Sequence, residues 1–125
     1  MLLFKKKFLE AIRSGRKTQT IRLWKHRRMR SGQRSYIPGA GYIQIESVEQ
    51  IELNSLTQED ALRDGFDSVE ALRKEISQLY AERSNENHSP FRVRFRLLPE
   101  ELQKKETKTS QSPANDSRLF QRPLW

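Results

Sequence analysis

The sequence contains no cysteine. That excludes disulfides, thiolate zinc sites and cysteine nucleophiles. It has only two histidines, His26 and His88, far apart and without metal-ligand spacing. No metal site and no cofactor are expected. No apolar run approaches the roughly 20 residues of a membrane span, and no signal-peptide pattern opens the chain. Met-Leu-Leu-Phe followed by three lysines sets the apolar and charged regions in the wrong order. The expectation is a soluble cytoplasmic protein that does not meet a membrane. Apolar content is also low, 34% against 32% charged over 125 residues, so one domain with a modest core is expected.

The N-terminal third lacks acid. Residues 1–38 hold 12 lysines and arginines and one acid, Glu10. Residues 39–98 hold 7 bases and 11 acids, and residues 99–125 hold 5 bases and 4 acids. The net charge of +8 is therefore concentrated at one end. A one-sided positive field attracts polyanions and speeds their encounter, which points toward nucleic acid or nucleotides as partners.

Local patterns divide the chain into short elements. Phe8, Leu9 and Ile12 fall at helical spacing before Gly15, which predicts a helix over 6–14. Lys5, Lys6 and Lys7 read as its solvated end. Thr18 to Trp24 reads as a strand. On ideal alternation Ile21 and Leu23 face the core, and Thr20 and Arg22 face a groove or solvent. Lys25 to Arg30, KHRRMR, reads as a basic loop, and Arg34 to Ile37 as a short strand. Pro38-Gly39-Ala40-Gly41 is a turn. Ile43 and Ile45 alternate, Val48 is out of phase, and Ile51 and Leu53 return, so a bulge is expected near Ser47.

Thr57 caps a short helix, with Asp60 at the third helical position and a stop at Gly65. Asp67 or Ser68 caps the next helix, and Asp67 with Glu70 fits a capping box. Val69, Leu72, Ile76, Leu79 and Tyr80 form its apolar stripe. Phe91, Val93, Phe95 and Leu97 alternate with Arg92, Arg94 and Arg96 in a final strand. That arginine face reads as a solvated outer face or as the extension of a basic groove. Residues 99–125 are too polar to bury enough surface and are expected to form a disordered tail. Its end, RLFQRPLW, regains apolar residues. Strands with inserted helices suggest a small mixed barrel.

Within this frame GRKTQTIRLW, residues 15–24, crowds Arg16, Lys17 and Arg22 around two threonines. Read from the residues alone, the cluster does chemistry, holds a phosphate or is a solvated strand edge. The wider order of pieces resembles the ASCH domain family of PUA-like β-barrels. The matching pieces are a helix ending in Ser14-Gly15, the GRKTQTIR run, Ser31-Gly32-Gln33 and the Gly41–Leu53 strand. LTQEDALRDGF, SVEALRKEISQLY and FRVRFRL follow. Together they span residues 4–98.

The resemblance implies an α+β, PUA-like (ASCH) mixed β-barrel with flanking helices over 1–98, and a cleft lined by the Lys-Thr strand. It implies RNA, a nucleoside or a nucleotide as partner. Some small bacterial members are amidohydrolases that deacylate acetylcytidine, and others are ribonucleases. The amidohydrolase residues fall on Lys17, Thr20 and Asp64, with Arg22 closing the motif. Asp64 stands where the amidohydrolases carry glutamate, and Gln33 where the turn often has aspartate. In a binding reading, Lys17, Arg22 and the KHRRMR loop with Arg27 and Arg28 meet phosphate, Thr20 and Asp64 hydrogen-bond the base or sugar, Trp24 or Tyr42 stacks a base, and Arg16 belongs to the same binding set. In the catalytic alternative, Thr20 is nucleophile, Lys17 base and Asp64 the orienting group. A monomer is expected, and no His pair supports ribonuclease chemistry.

Overall fold

The computed structural model describes residues 1–83 and 87–103. A 3-10 turn, Lys6–Phe8, leads into helix α1, Leu9–Arg13. Strands β1, Gln19–Trp24, β2, Arg34–Ile37, and β3, Gly41–Gln50, follow. Helices α2, Gln58–Arg63, and α3, Val69–Arg83, precede strand β4, Ser89–Leu97. The predicted helix over 6–14 is thus divided into two helical types.

The four strands form one antiparallel sheet in the order β1-β4-β3-β2. The expected barrel does not close, because β1 and β2 are the two edges and do not pair. The fold class is α+β. The first core cluster lies on one face and includes Leu2, Ile12, Ile37, Ile43, Ile45, Val48, Phe91, Val93 and Phe95. The second includes Ile21, Leu56, Ala61, Leu72 and Ile76, and joins β1 to α2 and α3.

The register shifts between Ile45 and Ser47, the expected bulge. The extra residue puts Ile45 opposite Phe95 and Val48 opposite Val93, so residues three apart share one core. Asp60 and Thr57 form a reciprocal capping box at α2. At α3 the cap is Ser68, whose hydroxyl accepts from the Ala71 N–H at 3.1 Å.

The alternation expected for β1 holds in part: Ile21 and Leu23 are buried. Thr20 pairs with Val93 and Arg22 with Phe91, so their face also carries the first core, and only at the strand edge do they line an open space. Trp24 packs against Phe91 with ring centroids 5.5 Å apart. Helices cover the other face. There Arg92 bonds Glu49 at 2.6 Å and Asp60 at 3.1 Å. Arg94 bonds the Gln19 side chain at 3.2 Å. The arginine face of β4 is neither a groove nor simply solvated, since its inner end is tied to buried Asp60 and Gln19.

The first residues of the expected tail dock on the domain. Glu100–Leu102 form a 3-10 turn, and the Gln103 side chain bonds both peptide groups of Tyr42 at 2.7 and 3.0 Å. The rest of that tail, with RLFQRPLW, lies outside the described residues.

Candidate functional site

Two similar helix ends build the site. α1 closes with Ser14 as its C-cap and Gly15 at a φ of 85°. The Gly15 N–H bonds the Ile12 carbonyl, and the Arg16 N–H bonds the Ala11 carbonyl. This Schellman turn reverses the chain and delivers Lys17. α2 ends the same way, with Asp64 as C-cap and Gly65 at a φ of 90°. Here Gly65 bonds Leu62 and Phe66 bonds Ala61. The Thr18 N–H donates to the Arg63 carbonyl at 2.7 Å, joining the two ends.

Lys17 and Asp64 meet inside this junction. Lys17 is 2% exposed and Asp64 3%. The Lys17 ammonium donates to the Asp64 Oδ1 and to the Asp64 carbonyl, each at 2.5 Å. A cation is favourable at a helix C-terminus, where carbonyls lack internal partners. An acid at the end of α2 by itself opposes the helix dipole, and the lysine offsets this by satisfying carboxylate and carbonyl together. Three rings surround the ammonium, with centroids at 4.7 Å for Phe8, 5.6 Å for Phe4 and 5.8 Å for Phe66. Asp64 Oδ2 is buried and makes no hydrogen bond.

Burial shifts both groups toward their neutral forms. Loss of water pushes the Lys17 amine below its ordinary value; Asp64 opposes the shift and Arg22 adds to it. Loss of water likewise pushes Asp64 up, against Lys17 and Arg22. The opposed attraction does not cancel the desolvation.

A cavity of about 150 Å³ adjoins the pair. Lys17, Thr20, Arg22 and Asp64 all line it, along with Phe4, Phe8 and Phe66. It lies beyond the free edge of β1, between the N-terminal segment and α3. This placement lets residues from both faces of the strand reach one space. Thr20 Oγ1 accepts from Arg22 Nε at 3.1 Å, and Arg22 Nη2 donates to the Leu3 carbonyl at 2.6 Å. Among the described residues, no hydrogen bond joins Lys17 to Thr20.

A second, open groove of about 820 Å³ adjoins the cavity, with Leu3, Arg22 and Leu23 lining both. Trp24, Lys25, His26, Arg28 and His88 line it. The two histidines, distant in sequence, thus share a groove. Three of the predicted binding residues lie elsewhere. Arg16 is exposed and pairs with Glu10 at 2.5 Å. Arg27 donates to the Val48 carbonyl and lies 5.8 Å from the Phe91 ring. Tyr42 packs edge-on to Tyr36 at 4.9 Å and under Arg34 at 4.5 Å, and lines neither space.

Sequence reading missed Phe4, Phe8, Phe66 and Glu75 as site residues. Glu75 lines the cavity from α3 and bonds Lys5 at 3.0 Å and Lys7 at 3.4 Å. These lysines, read as a wet helix end, clasp one wall to the other. The signal was present: Phe4 and Phe8 are four residues apart, and Glu75 falls within the apolar stripe of α3. Among the described residues, no group of three or more potential ligands could hold a metal ion. No described helix is long and apolar enough to cross a membrane.

No family model and no curated protein matches this sequence. Solved structures do match its fold. The hypothetical protein PH0355 is similar at 18% identity and a TM-score of 0.61, over 77% of this chain and 95% of its own. Protein EF3133 from Enterococcus faecalis V583, of the DUF984 family, is similar at 15% identity and a TM-score of 0.59. That match covers 74% of this chain and 70% of its own. An ASCH domain from Lactobacillus crispatus JV V101 is similar at 19% identity and a TM-score of 0.55, over 70% and 68%. The chain has an ASCH-type fold.

Proposed function

We propose that this chain, an ASCH-type fold with a buried Lys-Asp pair, binds a nucleotide or a short single-stranded stretch of RNA. The base enters the cavity and the phosphates lie along the basic groove. The observation that carries this reading is the adjacency of the two spaces, which share Leu3, Arg22 and Leu23 as lining residues. A cavity of about 150 Å³ walled by phenylalanines suits a six-membered ring, since engineered apolar cavities of about that size accept benzene. Asp64 Oδ2 offers a buried acceptor without a partner. Arg22, Lys25 and Arg28 supply cations along the groove.

Calorimetric titration with cytidine, uridine and adenosine 5′-monophosphates, and with a short single-stranded RNA, tests this. Binding of the RNA is expected to weaken steeply between about 50 and 200 mM salt, as it does when phosphate contacts release counterions. No binding at millimolar ligand, or an RNA affinity indifferent to salt, rejects it.

A second reading rests on the Lys17 amine. Its value is lowered by burial, which raises the share of neutral amine able to accept a proton. Thr20 Oγ1 already accepts from Arg22, leaving its own proton to donate. Threonine would attack the carbonyl of an N-acylated cytosine, and the amine, reached by a small shift or a water, would carry the proton to the leaving nitrogen. Water then releases the acid. Incubation with N4-acetylcytidine should yield cytidine and acetate, and both Lys17→Met and Thr20→Ala should stop it. Turnover that survives both substitutions rejects these roles.

A further inference from the structure

The strand at the cavity is an edge, and its unpaired side can be assigned. The Phe95 N–H donates to the Thr18 carbonyl at 3.0 Å, so this pair is hydrogen-bonded across the ladder. Bonded and non-bonded pairs alternate along antiparallel strands. Thr20, Arg22 and Trp24 therefore turn their peptide groups toward β4, and Gln19, Ile21 and Leu23 turn theirs away. The partner of Leu23 gives an independent check. It is Pro90, which has no N–H, and the Pro90 carbonyl accepts from the Ile51 N–H at 3.0 Å on the other side.

Ile21 and Leu23 both line the cavity, and Leu23 also lines the groove. Among the described residues, no loop, cap or side chain bonds their peptide groups. Buried peptide groups require partners, and a sheet edge is a template for them. An added peptide strand does not fit here. Leu3, Phe4, Lys5 and Phe8 stand across this edge, and the space between is small. What remains is a small cavity along this edge. Its edge carries alternating donors and acceptors, and Phe4, Phe8, Leu72 and Ile76 are among its apolar walls.

We propose that the open edge of β1 reads the base directly, with the peptide groups of Ile21 and Leu23 hydrogen-bonding the polar edge of its ring. This deepens the binding reading above and rests on it. Such recognition depends on where the strand runs rather than on a polar side chain. It would let a pocket whose edge residues are isoleucine and leucine discriminate among heteroaromatic rings.

Amide resonances of the ¹⁵N-labelled full chain, titrated with cytidine and uridine 5′-monophosphates, test the proposal. On saturation the Ile21 and Leu23 N–H signals are expected to move downfield. Their hydrogen exchange should slow by about tenfold or more as these unpaired amides gain an acceptor. Thr20 and Arg22 amides, already in the ladder, should slow far less. If Lys17, Arg22 and Phe66 respond while the Ile21 and Leu23 amides keep their exchange rates, this proposal is overturned and the binding reading stands. If no resonance of the cavity responds to either nucleotide, both are overturned.

Discussion

The aliphatic chain of Lys17 lies directly against Gly65: a Cβ at position 65 would stand 3.5 Å from the Lys17 Cβ. That is ordinary contact, so space does not require glycine there. Conformation does, because the C-cap turn holds Gly65 at a φ of 90°. Gly15, in the matching turn at 85°, has nothing within 4 Å of its added Cβ.

Gly65→Ala and Gly15→Ala should therefore cost similar amounts, about 1 kcal/mol each, from strain at positive φ rather than from crowding. Urea unfolding at neutral pH measures both. A loss at Gly65 far above that at Gly15 would mean that the Lys17 contact is tighter than this geometry.

Breaking the buried pair is more costly. Asp64→Asn leaves an ammonium without its counter-charge, and Lys17→Met leaves a carboxylate; each should cost about 3–5 kcal/mol. The double substitution should lose much less than the sum, because no uncompensated charge remains. Additive losses in a double-mutant cycle would show that the two groups act independently. Lys17→Met should also change the alkaline limb. The folded value of Lys17 lies below its ordinary 10.5, so between the two the unfolded chain holds the extra proton. Stability then rises with pH across that window, a rise that the variant should lack.

Asp60 has the opposite electrostatic balance and, with Glu75, contributes to the acid limb. Burial works against its ionisation, but the Thr57 N–H and Arg92 outweigh it and hold the carboxyl below its ordinary 3.8. Between the folded value and 3.8 the unfolded chain binds more protons. The Asp60 contribution is therefore present above about pH 4 and lost as pH falls through the folded value. Asp60→Asn should destabilise at pH 7 and flatten the acid limb. An unchanged pH profile would mean that Arg92 and Arg94 do not hold it.

The binding reading makes its own demand on Arg28, an exposed groove residue. Arg28→Ala should weaken nucleotide or RNA affinity by a similar factor for every base and reduce the salt slope by about one for RNA. Folding stability should be nearly unchanged. A loss confined to one base would instead make Arg28 a reader of the ring.

Much of the fold was legible along the chain. The apolar alternation of Phe91, Val93 and Phe95, the Thr57–Asp60 box and the out-of-phase Val48 each depend on a few adjacent residues, and each was found where expected. The site was less legible. Tyr42 looked available to a base, and its ring packs edge-on to Tyr36 and under Arg34, away from both spaces. Arg16 belongs to the same basic run as Lys17, yet one is exposed and the other buried. Neighbours in sequence diverge here because the turn after Gly15 sends their side chains into different dielectric surroundings.

Sequence by itself determined the periodicities, the helix ends at Gly15 and Gly65, and the positive N-terminal third, since these arise from local sterics and composition. Only tertiary structure decided that β1 is an edge, that the sheet stays open beside it, and that Lys17 faces Asp64. Those outcomes depend on strand pairing and desolvation between segments distant in the chain. No local pattern encodes which side of a strand will be left without a neighbour.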